Sequence, residues 1–155
     1  MNDNNVEIRK RILLLEDDVP LAEMLRSSLD CNGYIVETAE NGAAGVRKIL
    51  DREFDIILCD MVMPHLPGDM FYTAVSRINP DLCRRFIFMT GHQADPKYDA
   101  FIRKIKGTML WKPFLLSDLL SVIKLKLHKN SNPQRLGNDI RFDSTAGLWP
   151  ASRCS

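Results

Sequence analysis

Residues 12–18 read Ile12-Leu13-Leu14-Leu15-Glu16-Asp17-Asp18, four consecutive apolar side chains that stop at three acids. An unbroken apolar run of this length fits a strand buried on both faces, where helices cover each side and alternation is lost. Four residues alone leave a helix open by periodicity, so the flanking sequence decides. Directly after the acids, Pro20 suits a first helical turn, and Leu21, Leu25 and Leu29 recur every four residues until Asn32-Gly33 ends the pattern. The unit is one strand feeding one amphipathic helix, with acids at the join.

The same pairing repeats along the chain. Tyr34 to Ala39 is short and rich in β-formers, and Asn41-Gly42 opens a segment whose Val46, Ile49 and Leu50 share a helical face. Phe54 to Cys59 is another apolar run, ending on Asp60. After a loop carrying Pro64, Pro67 and Gly68, Met70 to Ile78 reads as a helix and Arg85 to Met89 as a strand stopping at Thr90-Gly91. Asp95-Pro96 supplies a cap and first turn for a helix through about Lys104. Thr108 to Trp111 is a fifth strand, stopped by Lys112-Pro113 because proline cannot continue a ladder. A last helix runs from Ser117 to about His128, with Leu119, Ile123 and Leu127 on one face.

Five strand–helix units predict an α/β fold, a doubly wound five-stranded parallel sheet with helices on both faces, since parallel strands need crossover connections. Right-handed crossovers bring all five strand C-terminal ends to one edge, where ligands bind in such sheets. Composition agrees with one soluble globular domain: 155 residues, 45% hydrophobic and 26% charged. Twenty-one Lys and Arg against twenty Asp and Glu give a formal charge of +1, so no strong field draws nucleic acid or an anionic membrane. Cys31, Cys59, Cys83 and Cys154 lie far apart without metal or redox spacing and read as reduced thiols. Met1 to Arg11 is polar, and no apolar run approaches the roughly 20 residues of a membrane span, which predicts a cytoplasmic protein.

The chemistry gathers at the expected edge. Glu16-Asp17-Asp18 follow the first strand, Asp60 ends the third, Thr90 the fourth and Lys112 the fifth. Carboxylates crowded on one edge repel, and a hard cation such as Mg²⁺ relieves them. Asp60, on a rigid apolar strand, suits a nucleophile.

The segments LLLED-D at 13–18, CDMVMP at 59–64, FMTG at 88–91 and WKPF at 111–114, in this order and spacing, resemble the receiver domain of two-component response regulators over about Lys10 to Lys129. The wording is nearest to receivers of hybrid histidine kinases. The resemblance implies a flavodoxin-like sheet of order 2-1-3-4-5 and a phosphorylation switch. In it Asp60 accepts a phosphoryl group from a phosphohistidine on a histidine kinase or histidine phosphotransfer protein. Asp17 binds Mg²⁺ directly and Glu16 through water, joined by Asp60 and the Val62 carbonyl. Lys112 neutralises charge on the transferred group, and Thr90 hydrogen-bonds it. The loop at Pro64–Gly68 shapes the mouth of the site, and the Lys112-Pro113 bond is cis. A downstream effector protein and a possible homodimer belong to the same expectation, without nucleic acid or membrane.

Other residues take plainer roles. Asp18 reads as a helix cap, Cys59 as a small core residue and Trp111 as cover for apolar surface; His65, His92 and His128 are too scattered for a metal site, although His92 is placed to border the phosphoryl group. Met109 stands three residues before the lysine, where many receivers carry Tyr or Phe, so output is expected through Thr90 and the helix around Pro96 to Arg103. Apolar Val62, two residues after Asp60, predicts slow self-dephosphorylation. The chain divides into an N-terminal extension (1–9), the receiver (10–129) and a flexible tail (130–155). Three other readings fit less well. A haloacid-dehalogenase-type phosphohydrolase wants a second Asp where Val62 stands, a Rossmann nucleotide site wants glycines where the three acids stand, and a pseudo-receiver binding module usually lacks one of the acids, the threonine or the lysine.

Overall fold

The computed structural model describes residues 7–91 and 95–132, together with the backbone of 140–143 and 147–150. The five expected units are all present: β1 (Arg11–Leu15), α1 (Val19–Cys31), β2 (Ile35–Ala39), α2 (Gly42–Asp51), β3 (Ile56–Asp60), α3 (Gly68–Ile78), β4 (Phe86–Thr90), α4 (Pro96–Ile105), β5 (Thr108–Trp111) and α5 (Leu116–Ser131). A 3-10 turn at Pro80–Arg85 leads into β4. The five strands are mutually parallel in the order β2-β1-β3-β4-β5, so the order reverses between β1 and β3.

Side-chain parity sorts the core into two layers. Ile12, Leu14, Ile56 and Leu58 point to the side covered by α1 and α5, with Leu25, Leu29, Leu119 and Ile123 packed on them. Leu13, Leu15, Ile57 and Phe88 point to the opposite side, with Ile49, Phe71, Val75 and Ile102 of α2, α3 and α4 against them. Both faces of every central strand are therefore buried, which is why the strands read as continuous apolar runs. Three helices start where a short polar side chain accepts a backbone N–H: Asp18 from Leu21, Asn41 from Ala44 and Asp95 from Lys97.

Two expectations change. The buried face of α2 is Gly42, Gly45 and Ile49, while Leu50 is 67% exposed and Val46 only half-buried. Glycines at i and i+3 let the neighbouring chain in: a Cβ on Gly45 would stand 2.8 Å from Leu15 Cδ2 and 3.0 Å from Phe71 Cε2. Hydrophobic side-chain matching could not find a face made of missing side chains. The stretch 130–155, expected as a flexible tail, contains the end of α5 and two short strands, β6 (Ile140–Asp143) and β7 (Gly147–Pro150). β6 pairs parallel with β5, Met109 opposite Arg141 and Leu110 opposite Phe142, and β7 returns antiparallel to β6. The pairing occupies backbone groups that β5 would otherwise present as a sheet edge.

Candidate functional site

Strand register assembles the site. Leu15 pairs with Cys59, so Glu16, one residue on, lies beside Asp60; Asp60 pairs with Met89, so Thr90 lies just past it; Thr90 pairs with Trp111, and the N–H of Lys112 donates to the Thr90 carbonyl at 2.8 Å. Four residues separated by up to 96 positions thus meet at the point where the strand order reverses.

Within that cluster the Lys112 ammonium donates to Glu16 Oε2 at 2.7 Å and to Asp60 Oδ2 at 2.9 Å. The second oxygen of each acid is also used: Glu16 Oε1 accepts the Asp18 N–H at 3.1 Å, and Asp60 Oδ1 accepts the Val62 N–H at 3.0 Å. Glu16, Asp60 and Thr90 are the buried polar residues among those described, whereas Asp17 is exposed. Ligand oxygens of Glu16, Asp17 and Asp60 lie within 4.8 Å of one another. Three carboxylates so close, all hard oxygen donors, fit a divalent cation of the Mg²⁺ type.

Burial raises the Glu16 pKa above its usual 4.5; the Lys112 hydrogen bond opposes this and the neighbouring Asp60 charge reinforces it. Burial alone would lower the Lys112 pKa, but hydrogen bonds and charge from Glu16 and Asp60 prevail and raise it above 10.5. Lys112 is therefore a fixed cation at neutral pH.

The backbone at the mouth is tightly packed. The Gly68 N–H donates to the Met61 carbonyl at 3.1 Å, and a Cβ on Gly68 would stand 2.7 Å from the Asp60 carbonyl oxygen, so only glycine lets α3 begin this close. Leu66 seats against Gly42 of α2, and His65 adopts φ 68° between Pro64 and Leu66. The Lys112-Pro113 bond is cis.

All six sequence-derived site positions, Glu16, Asp17, Asp60, Val62, Thr90 and Lys112, stand at this one edge. Asp18 caps α1, as read. Cys59 is fully buried, and burial pushes its thiol well above the ordinary value, with the charges of Asp60 and Asp69 adding to the effect. Trp111 and Met109 are buried in the layer shared with α2, α3 and α4. His92, expected to border the site, lies outside the described residues. Sequence reasoning missed Asp69 and Lys97, whose carboxylate and ammonium meet at 3.2 Å between the first turns of α3 and α4. Nothing in the spacing of two charges 28 residues apart announces such a pair.

Fold and site together define an α/β domain with a carboxylate–lysine cluster at its switch point. A family model described as the response regulator receiver domain matches residues 12–124. The response regulator receiver protein CpdR of Brucella abortus is 37% identical over 121 residues, covering 76% of this chain and 97% of that protein. The sensor kinase CckA of the same organism is 32% identical over 124 residues, which are 76% of this chain and 12% of that kinase. Among solved structures, a CheY-like response regulator receiver domain from Methanospirillum hungatei superposes with a TM-score of 0.74 at 28% identity, covering 81% of this chain and 98% of that one. Several further curated relatives are matched over about half of their length. The chain belongs to the response regulator receiver domain family, the receiving module of two-component signalling. Among the described residues, no helix is long and apolar enough to cross a membrane.

Proposed function

We propose that the protein is a phospho-accepting receiver in which Asp60 takes the phosphoryl group of a partner phosphohistidine. The observation that carries this reading is the single ammonium of Lys112 shared between Glu16 and Asp60 at 2.7 and 2.9 Å, beside the exposed Asp17. An Asp60 oxygen attacks phosphorus, the imidazole N–P bond breaks, and the leaving imidazole takes up a proton. Lys112 holds the phosphoryl oxygens and Thr90 donates a hydrogen bond to one of them, so catalysis is mainly positioning and charge stabilisation.

Asp17 is exposed where Glu16 is buried, which favours Asp17 as the residue that would hold Mg²⁺ directly with Glu16 acting through water; Asp60 and the Val62 carbonyl would complete the set. A Mg²⁺ ion held by these residues would supply charge neutralisation for the transfer. The donor is a histidine kinase or histidine phosphotransfer protein, in line with the sensor kinase among the relatives.

Intact-protein mass spectrometry with Mg²⁺ and acetyl phosphate tests the reading. In that reaction Asp60 attacks phosphorus and acetate leaves. One phosphoryl group should be gained by the wild type and lost in Asp60→Asn or with EDTA. A folded wild type that gains none with acetyl phosphate or with a phosphorylated partner kinase would make the protein a binding module that works without phosphorylation.

A further inference from the structure

A second ammonium bridges α4 to α3, the helix that begins against the Asp60 backbone. Lys97, in the first turn of α4, lies 3.2 Å from Asp69 Oδ2 in the first turn of α3, and its Nζ stands 5.5 Å from the centroid of the adjacent Tyr98 ring. Asp69 follows Gly68, the residue whose backbone packs against the Asp60 carbonyl and whose N–H donates to Met61. The ion pair therefore ties α4 to α3 one residue away from the backbone of the acceptor. A second link between these helices is aromatic: Tyr72 of α3 and Phe101 of α4 meet edge to face at 5.6 Å, and both contact Phe88, two residues before Thr90.

The two links differ in what they respond to. Phe101 and Tyr72 form an apolar contact indifferent to charge, whereas Lys97 is 61% exposed and held by one carboxylate. Asp69 is only 15% exposed, but the ammonium stands in water, where a pair is screened and its cation can be displaced. A phosphoryl group brings roughly two negative charges, more than the single charge of Asp69.

We propose that Lys97 and Asp69 form a charge-displaced clasp across the mouth of the site: a phosphoryl group on Asp60 draws the Lys97 ammonium off Asp69 and so releases the first turn of α4 from α3. The device rests on the reading of Asp60 as the phosphoryl acceptor. It also gives the chain a route from site to α4 that does not pass through an aromatic side chain on β5, where Met109 is buried. Tyr98, only 9% exposed beneath Lys97, moves with the released turn.

The experiment is hydrogen–deuterium exchange of residues 96–105, with intact mass read on the same samples, for the full chain as wild type, Lys97→Met, Lys97→Arg and Asp69→Asn, with and without Mg²⁺ and acetyl phosphate. In the wild type, phosphorylation should speed exchange in the first turn of α4 by about threefold, the size expected for losing one exposed ion pair. Lys97→Met and Asp69→Asn should exchange fast already at rest and change little on phosphorylation, while Lys97→Arg keeps the response. A Lys97→Met protein that gains the phosphoryl mass and still shows the full wild-type increase would overturn the clasp. Absence of any mass gain in the wild type would remove its trigger, and would locate the failure in Asp60 rather than in Lys97.

Discussion

On the proposed function, Val62 is expected to set how long a phosphoryl group on Asp60 lasts. Its side chain is 41% exposed two residues beyond Asp60, and its backbone N–H is given to Asp60 Oδ1, so the position offers no polar side-chain atom to hold an attacking water. An asparagine there adds one. A water-orienting hydrogen bond of about 1.4 kcal/mol corresponds to a rate change on the order of tenfold. The aspartyl phosphate of the wild type is therefore expected to decay slowly, and that of Val62→Asn about tenfold faster, as followed by intact mass after the phosphodonor is removed. Decay within seconds in the wild type, or an unchanged lifetime in the variant, would contradict this. Asp60, Thr90 and Lys112 were legible because each stands at the end of an apolar run, where topology alone delivers it to one edge. Asp69 and Lys97 were not, because both lie in helical first turns whose relative position depends on how α3 and α4 pack.

Elements were legible wherever one period dominated, and less so where packing relied on small residues. β1 and β3, apolar on both faces, announced themselves; the buried side of α2, built on Gly42 and Gly45, did not. Outer strand β2 shows what holds a less buried element. Its Glu37 is bonded to Arg11 at 3.3 Å, to Lys48 at 3.2 Å and to Arg52 at 2.9 Å, joining β1, β2 and the end of α2. Burial acts to raise the Glu37 pKa, but Lys48 and Arg52 outweigh it and leave it below 4.5. A carboxyl whose native pKa is depressed contributes stability that is present above the unfolded value and is lost as pH falls through the native one. Thermal unfolding followed from pH 7 downwards should thus show wild type and Glu37→Gln converging below about pH 4.5, the ordinary glutamate value. A gap that stays constant with pH would assign the Glu37 contribution to packing instead of charge.

For the molecule as a whole, the family match spans residues 12–124, the sheet and its covering helices, and β6 and β7 extend that sheet beyond β5. The extension was not legible because its strands are only four residues each and follow a stretch without helical or alternating period. Binding at the carboxylate cluster should be felt globally, since a ligand that binds only the native state stabilises it by mass action. At a Mg²⁺ concentration a hundred times the dissociation constant, the gain is about 2.7 kcal/mol. The melting temperature of the wild type should rise with added Mg²⁺, and that of Asp17→Asn should rise far less over the same range. Equal rises would place the cation elsewhere on the surface.

The shared ammonium of Lys112 also imposes an order of events. At rest, one lysine faces three carboxylates, so the mouth of the site presents a net negative charge to anything approaching it. For the proposed reaction the donor is itself an anion, which such a field would oppose until a cation has entered. On the proposed function, loading is expected to be sequential, the metal as the admission step and the donor second, so that depletion of the ion would silence the protein however active its kinase.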